Sequence, residues 1–308
     1  MADYTFHDNA FLGSDSTSLF QQAEFFLLHS VGRGRLYEWT TDGNVAASVH
    51  FTPVGEDGLW RSPALGTFAG FAFNDKLKLR DLFAFYDRVE NTLRSEGAKQ
   101  LEVLPAPMSH DPLIFSNQLY LLRTFGYEMT RCDLNHSIEI DARSLSARIS
   151  YGNIKRLRKC QREGLISKQL PLSALPEVYE TLVANRLGKG HTLSMTLMQL
   201  QTMVDTFTKS IVLFGCQDGA TLAAAGLCIQ LSSSVLYVFY WGDRPGYEAY
   251  SPVVSVADAI YAYAQAEHVK LIDVGTSTLN SDPNFGLIDF KRGLGFTESL
   301  KVRMSKKL

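Results

Sequence analysis

Near the end of the chain, the run NFGLIDFKRGLGF (residues 284–296) places a lysine where an amphipathic helix should be apolar. Lys291 follows Ile288 by three residues and Leu287 by four, and precedes Leu294 by three, so its ammonium falls inside the core-facing stripe. A cation there can neutralise a phosphate or steady the oxyanion that forms when a carbonyl is attacked. The competing reading is a side chain that packs its methylenes and keeps its charge wet. Asp273, in LIDVG, could take a proton from an attacking amine, or it could be a strand-end carboxylate held by backbone amides. Tyr240, in VLYVFYW, could donate to a tetrahedral intermediate, or it could be a core aromatic. Ser251 followed by Pro252 reads as the cap and first residue of a helix, whose free amides would accept a phosphate or carbonyl oxygen. Tyr250 and Ser277 are candidates by position beside these groups. Upstream, SYGNIKRLRKCQREG carries Lys155, Arg156, Arg158, Lys159 and Arg162 within eight positions. That density suits a polyphosphate, an RNA acceptor stem or an anionic lipid head group, and it also suits a solvated helix face. His191, in the glycine-flanked RLGKGHT, is the one histidine placed like a base, or it is an ordinary loop side chain.

The elements that must position these residues occur twice. TDGNVAASVHFTPV and GLWRSPALGTFAGFAF are strand-like, followed by the helical LKLRDLFAFYDRVENTLRSEG, the strand AKQLEVLPAP, the helix NQLYLLRTFGY and the strand CDLNHSIEID. QDGATLAAAGLCIQL, VLYVFYWGD, SPVVSVADAIYAYAQAEH, VKLIDVGTS, GLIDFKRGLGF and SLKVRMSKK repeat that order. Asp42-Gly43 answers Asp218-Gly219, Lys99 and Glu102 answer Lys270 and Asp273, and Phe125-Gly126-Tyr127 answers Leu294-Gly295-Phe296. Pairing Gly295 with Gly126 matches Lys291 to Leu122, so only the second copy carries a charge in the stripe, and any active site is expected there. A basic helical segment, a strand (LISKQLPL) and helices around ETLVANRL and LSMTLMQLQTMVDTF lie between the copies, with Ser194 as a cap for the last. A shorter helical stretch, DSTSLFQQAEFFLLHS, precedes the first copy. The expected domains are residues 1–145 and 146–308.

This order of elements resembles the GNAT acyltransferase fold. The tandem arrangement with a basic segment between copies, together with DVGTSTLNSDPNFGLIDFKRGLGF, is similar to the FemAB-like group within it. The fold class expected is therefore α/β, with two tandem GNAT-like mixed-sheet domains. The resemblance places Lys291 on the group's motif lysine and implies acyl transfer to an amine by direct attack, with Asp273, Tyr240 and Lys291 as catalytic candidates. It implies acyl-CoA or aminoacyl-tRNA as donor substrate and no tightly bound cofactor. Donor contacts would come from Tyr250, Ser251, Ser277, Lys155, Arg158 and Lys159. RPGYEA (244–249) does not match the phosphate loop of single-domain members, a loop that FemAB-like relatives generally lack.

Composition bounds the rest. A net charge of −2 across 308 residues gives no global drive toward DNA or anionic membrane. Cys132, Cys160, Cys216 and Cys228 show no zinc spacing and read as reduced, mostly buried side chains, so no metal is expected. Without a signal-like start or a long apolar run, the expected compartment is the cytoplasm and no membrane span is expected. The expected partners are a small-molecule or peptide amine acceptor and tRNA. The function expectation is transfer from acyl-CoA; the alternatives are FemAB-type transfer of an amino acid from tRNA to a peptide or cell-wall precursor, and a catalytically silent binding protein on the same fold.

Overall fold

The computed structural model describes residues 4–9, 12, 18–30, 32–74 and 77–308. Residues 15–17, within the helical stretch expected before the first copy, lie outside them. The chain runs β1 (Thr5–Asp8), α1 (Ala23–Ser30), β2 (Arg35–Thr41), β3 (Asn44–Val54), β4 (Leu59–Ser62), β5 (Ala72–Phe73), α2 (Leu79–Ser95), β6 (Gln100–Val103), α3 (Pro112–Thr124) and β7 (Glu128–Glu139). It continues α4 (Tyr151–Arg162), β8 (Ile166–Leu170), α5 (Leu175–Leu187), α6 (Leu197–Thr206), β9 (Ile211–Asp218), β10 (Thr221–Ser232), β11 (Val235–Asp243), α7 (Val253–Ala266), β12 (Leu271–Thr276), β13 (Thr278–Leu279), β14 (Asp282–Pro283), α8 (Phe285–Gly293) and β15 (Thr297–Lys307). No helix among the described residues is long and apolar enough to cross a membrane.

The duplication is present in the fold: β2-β3-β4-α2-β6-α3-β7 is followed by β9-β10-β11-α7-β12-α8-β15 in the same order. The turn between β2 and β3 uses positive φ at both Asp42 (49°) and Gly43 (75°), and Gly219 (56°) does the same work after β9. The matched helix ends also agree in detail. Tyr127 N–H bonds the Leu122 carbonyl at 3.0 Å and Phe296 N–H bonds the Lys291 carbonyl at 3.1 Å, each across a left-handed glycine. Leu122 and Lys291 are thus structural equivalents.

Two compact units result. One comprises Met1–Leu134, Thr278–Asp282 and Ser299–Leu308; the other comprises Asn135–Ser277 and Pro283–Glu298. The sequence copies meet near residue 145, but each unit takes its closing strand from the other copy. In the first unit the order is β1-β2-β3-β4-β6-β15, with β5 on β3; in the second the end of β7, from Asn135 on, is followed by β12-β11-β10-β9-β8. The first core gathers Phe85, Tyr86, Val89 and Leu93 of α2 onto Tyr37, Phe51 and Leu101 of the sheet. In the second unit α5 and α7 both pack on the sheet, so β9 and β10 are buried along most of their length and read as near-continuous apolar runs. α7 is buried nearly all round, through Val253, Val254, Val256, Ala257, Ile260, Tyr261 and Ala264.

Candidate active site

In the second unit, β11 and β12 pair in parallel through Val235↔Leu271, Leu236↔Ile272 and Tyr237↔Asp273, and the pairing ends there. β11 nevertheless runs on to Asp243 and β12 to Thr276, so the two strands part. The first unit keeps its equivalent pair closed. β4 and β6 match as far as Ser62↔Val103, and Leu104 N–H then bonds the Ser62 carbonyl at 2.9 Å. The charges differ too: Glu102 is neutralised by Arg61 opposite it and lies 3.8 Å from Arg303, whereas Asp273 stands opposite Tyr237.

Lys291 comes from α8, which Asn284 starts by accepting the Leu287 N–H at 3.0 Å. It is 1% exposed, so the snorkelling alternative is excluded. Its Nζ donates to the Gly275 and Thr276 carbonyls, each at 2.9 Å. An ammonium has three donors, and among the described residues no third acceptor is bonded to this one. Desolvation lowers its pKa to about 7; Asp273 opposes that shift and Arg186 adds to it.

Asp273 has no exposure, and its Oδ1 accepts from Asn135 Nδ2 at 3.0 Å and from the Gly275 N–H at 2.7 Å. One of its oxygens is thus bonded to a side-chain amide and a backbone amide within the fold. Ser277, also without exposure, lies 3.1 Å from His136 Nδ1.

Tyr240 is 7% exposed and its hydroxyl pairs with Ser194 Oγ. Burial raises its pKa. Ser194 is thus not a helix cap; Thr196 caps α6, receiving the Gln199 N–H at 3.2 Å in a reciprocal capping box. His191 sits exposed in the loop after α5 with its N–H on the Arg186 carbonyl.

The start of α7 differs from the expectation. Ser251 has a φ of 51° and provides no cap, and Pro252 occupies the cap position instead of the first turn. The Val253 N–H is received by the Asp243 carboxylate at 2.5 Å, so the positive end of the helix already holds an anion from its own chain. Burial raises the Asp243 pKa to about 6, against the lowering effect of that amide.

The basic helix α4 divides its charges. Lys159 is engaged within the protein, over the Tyr250 ring at 4.3 Å and on the Ala249 carbonyl at 3.1 Å. Lys155 lies over Tyr151 at 4.4 Å, Arg156 bonds Asn153 Oδ1, and Arg162 pairs with Glu163. Lys155, Arg156, Arg158 and Arg162 remain exposed.

Arg186 was not singled out in the sequence, where it is one arginine in an ordinary helix. Gly242 lets Asn185 settle against β11, since a Cβ there would come within 2.4 Å of the Asn185 side chain. Asn185 then donates to the Asp243 carbonyl at 2.6 Å, which pins the end of α5. The next residue, Arg186, depresses the pKa of both Lys291 and Tyr240, and among the described residues its guanidinium has no carboxylate partner. Lys189, lowered by desolvation and then by Arg186, adds to the same positive field. Where β11 and β12 part, the site combines a buried ammonium with a spare donor, a phenol and an unpaired guanidinium. That set can receive an anion and stabilise a developing oxyanion. Among the described residues no group of His, Cys, Asp and Glu could hold a metal ion.

No family model and no curated protein matches the sequence. Solved structures do match the fold. FemX has a TM-score of 0.76 at 14% identity, covering 97% of this chain and 94% of that one. L-PGS from Bacillus licheniformis has a TM-score of 0.61 at 13% identity, with 96% and 94% covered. A tandem GNAT protein from the clavulanic acid biosynthesis pathway has 0.52 at 12%, with 89% and 82% covered. The fold is therefore a mixed α/β fold of two tandem GNAT-like halves.

Proposed function

We propose that this chain transfers an acyl group from an activated donor to the amine of an anionic acceptor, at the parting of β11 and β12, and that the donor is an aminoacyl ester on tRNA. The amine nitrogen attacks the ester carbonyl. A C–N bond forms, the C–O bond to the ribose breaks, and the hydroxyl that leaves carries away the amine proton. Lys291, through its unused N–H, meets the oxyanion; Arg186, with Tyr240 beside it, faces the acceptor's anionic group.

The observation that carries the choice of donor is the Asp243 carboxylate on the first amide of α7. A coenzyme A pyrophosphate at that terminus would meet a carboxylate instead of free amides, whereas an ester donor makes no demand on it. The exposed cations of α4 offer a separate surface for RNA phosphates.

Thermal stabilisation of the purified protein by aminoacylated tRNA and by acyl-CoAs of several chain lengths separates the donors. Stabilisation by tRNA is expected. Replacing Lys155, Arg156 and Arg158 with Gln should flatten the dependence of log Kd on log salt by about 0.7–0.9 per cation removed. Stabilisation by acyl-CoA alone would overturn the donor assignment, and stabilisation by neither would favour a silent binding protein.

A further inference from the structure

We propose that Asn135 and His136, on the closing strand of the first repeat, are positioning residues for Lys291 in the second, holding backbone 273–277 in the bend that brings two carbonyls onto its ammonium. The inference rests on Lys291 being the group that meets the substrate.

β7 and β12 pair antiparallel through Leu271↔Glu139, Ile272↔Ile138 and Asp273↔Ser137. The register then breaks and resumes at Thr276↔Asn135, so β12 carries one more residue than its partner across the break. Gly275 absorbs the bend with a φ of 72°. Such a bulge turns the Gly275 and Thr276 carbonyls off the ladder, and Lys291 Nζ donates to both.

Adjacent side chains of β7 tie down the two ends. At the near end Asn135 Nδ2 and the Gly275 N–H share Asp273 Oδ1, at 3.0 and 2.7 Å. At the far end His136 Nδ1 meets Ser277 Oγ at 3.1 Å, and the Ser277 carbonyl accepts the Asn284 N–H, at the cap of α8, at 3.0 Å. All of these residues belong to the second unit. Asn135 and His136 are 1% and 0% exposed, so neither is available to substrate, and their influence must pass through the bend. The charged and titratable groups facing Lys291 are Asp273 on β12, Arg186 on α5 and His136 on β7, with Arg292 and Glu298 next to the histidine. Burial, with Lys291 next in effect, lowers His136 to about 4, so the imidazole holds Ser277 in its neutral form at neutral pH.

Nitrogen-15 NMR of lysine-labelled protein tests this without substrate. The Lys291 signal is the one lost in Lys291→Arg, and it should titrate near pH 7 in the parent. Asn135→Ala and His136→Leu should raise its midpoint by about one pH unit or more, because a loosened bend admits water to the ammonium. His136→Asn, which keeps a polar atom near the Nδ1 position, should stay near the parent. Ser277→Ala, a smaller truncation, supplies the same reading from the other side if the leucine variant fails to fold. Midpoints unchanged in Asn135→Ala and Ser277→Ala would overturn the proposal. Shifted midpoints in a protein that transfers no acyl group from any donor would retain the positioning role and remove the transfer reading.

Discussion

Lys291→Met isolates the energetic consequence of burying an ammonium while keeping an unbranched side chain of similar length. In the unfolded chain this lysine holds its proton up to 10.5, and in the folded protein only up to about 7. Between those values the unfolded state binds more protons, so the free energy of unfolding must rise with pH, by at most about 1.36 kcal/mol per pH unit. The slope is half-developed at pH 7 and nearly full by pH 9, which integrates to about 2 kcal/mol over that interval. The methionine variant lacks this rise. It also leaves the Gly275 and Thr276 carbonyls without their donor, at about 1–3 kcal/mol each and at every pH. Urea denaturation at pH 7, 8 and 9, comparing midpoints at equal slope, reads the difference. The parent should gain about 2 kcal/mol on the variant between pH 7 and pH 9. Parallel curves would refute the claim that Lys291 is desolvated and neutral at high pH.

Two further outcomes follow from the same kind of linkage. Asp243 has a folded pKa raised from 3.8 to about 6, so its contribution is largest at low pH and is lost as pH rises through that window, by on the order of 2–3 kcal/mol; Asp243→Asn keeps an acceptor for Val253 and should show no such loss in denaturation between pH 4 and 6. His50 donates from Nε2 to the Phe20 carbonyl at 2.8 Å, and burial lowers its pKa from 6.5 to about 4. Its stabilising contribution is therefore complete above 6.5 and lost as pH falls toward 4, by about 3 kcal/mol. His136 adds a loss of the same sign and Asp243 offsets part of it over this range, so His50→Gln should lessen the acid-induced loss between pH 6.5 and 4 by about 3 kcal/mol relative to the parent, as read by urea denaturation.

Much of the layout was legible because it is local. Apolar periodicity marked α2, α7 and α8, and the Asp-Gly turns marked the hairpins. The glycines at 126 and 295 marked two matched helix ends, which aligned the copies and singled out Lys291. Where the reading failed, a distant residue had taken the expected role. Ser251 looked like a cap, but a carboxylate ten residues before Val253 reached the amide first. Ser194 looked like a cap, but its hydroxyl went to Tyr240 and Thr196 satisfied α6. Lys159 looked like a free cation, but Tyr250 and a carbonyl ninety residues away had claimed it. Arg186 carried no signal at all, since only the approach of Asn185 to Gly242 gives it its place.

Sequence alone determined that one α/β unit occurs twice and that only the later occurrence breaks its apolar stripe with a charge. These are properties of neighbours a few residues apart, where side-chain period and turn geometry act directly. Tertiary structure decided the rest: which strand closes which sheet, that β7 brings Asn135 and His136 to the second repeat's bend, and that the ammonium of Lys291 is dry. Such outcomes depend on contacts more than a hundred residues apart along the chain. They are set by which buried donors and acceptors satisfy one another once the sheet has formed, and composition and spacing do not encode that.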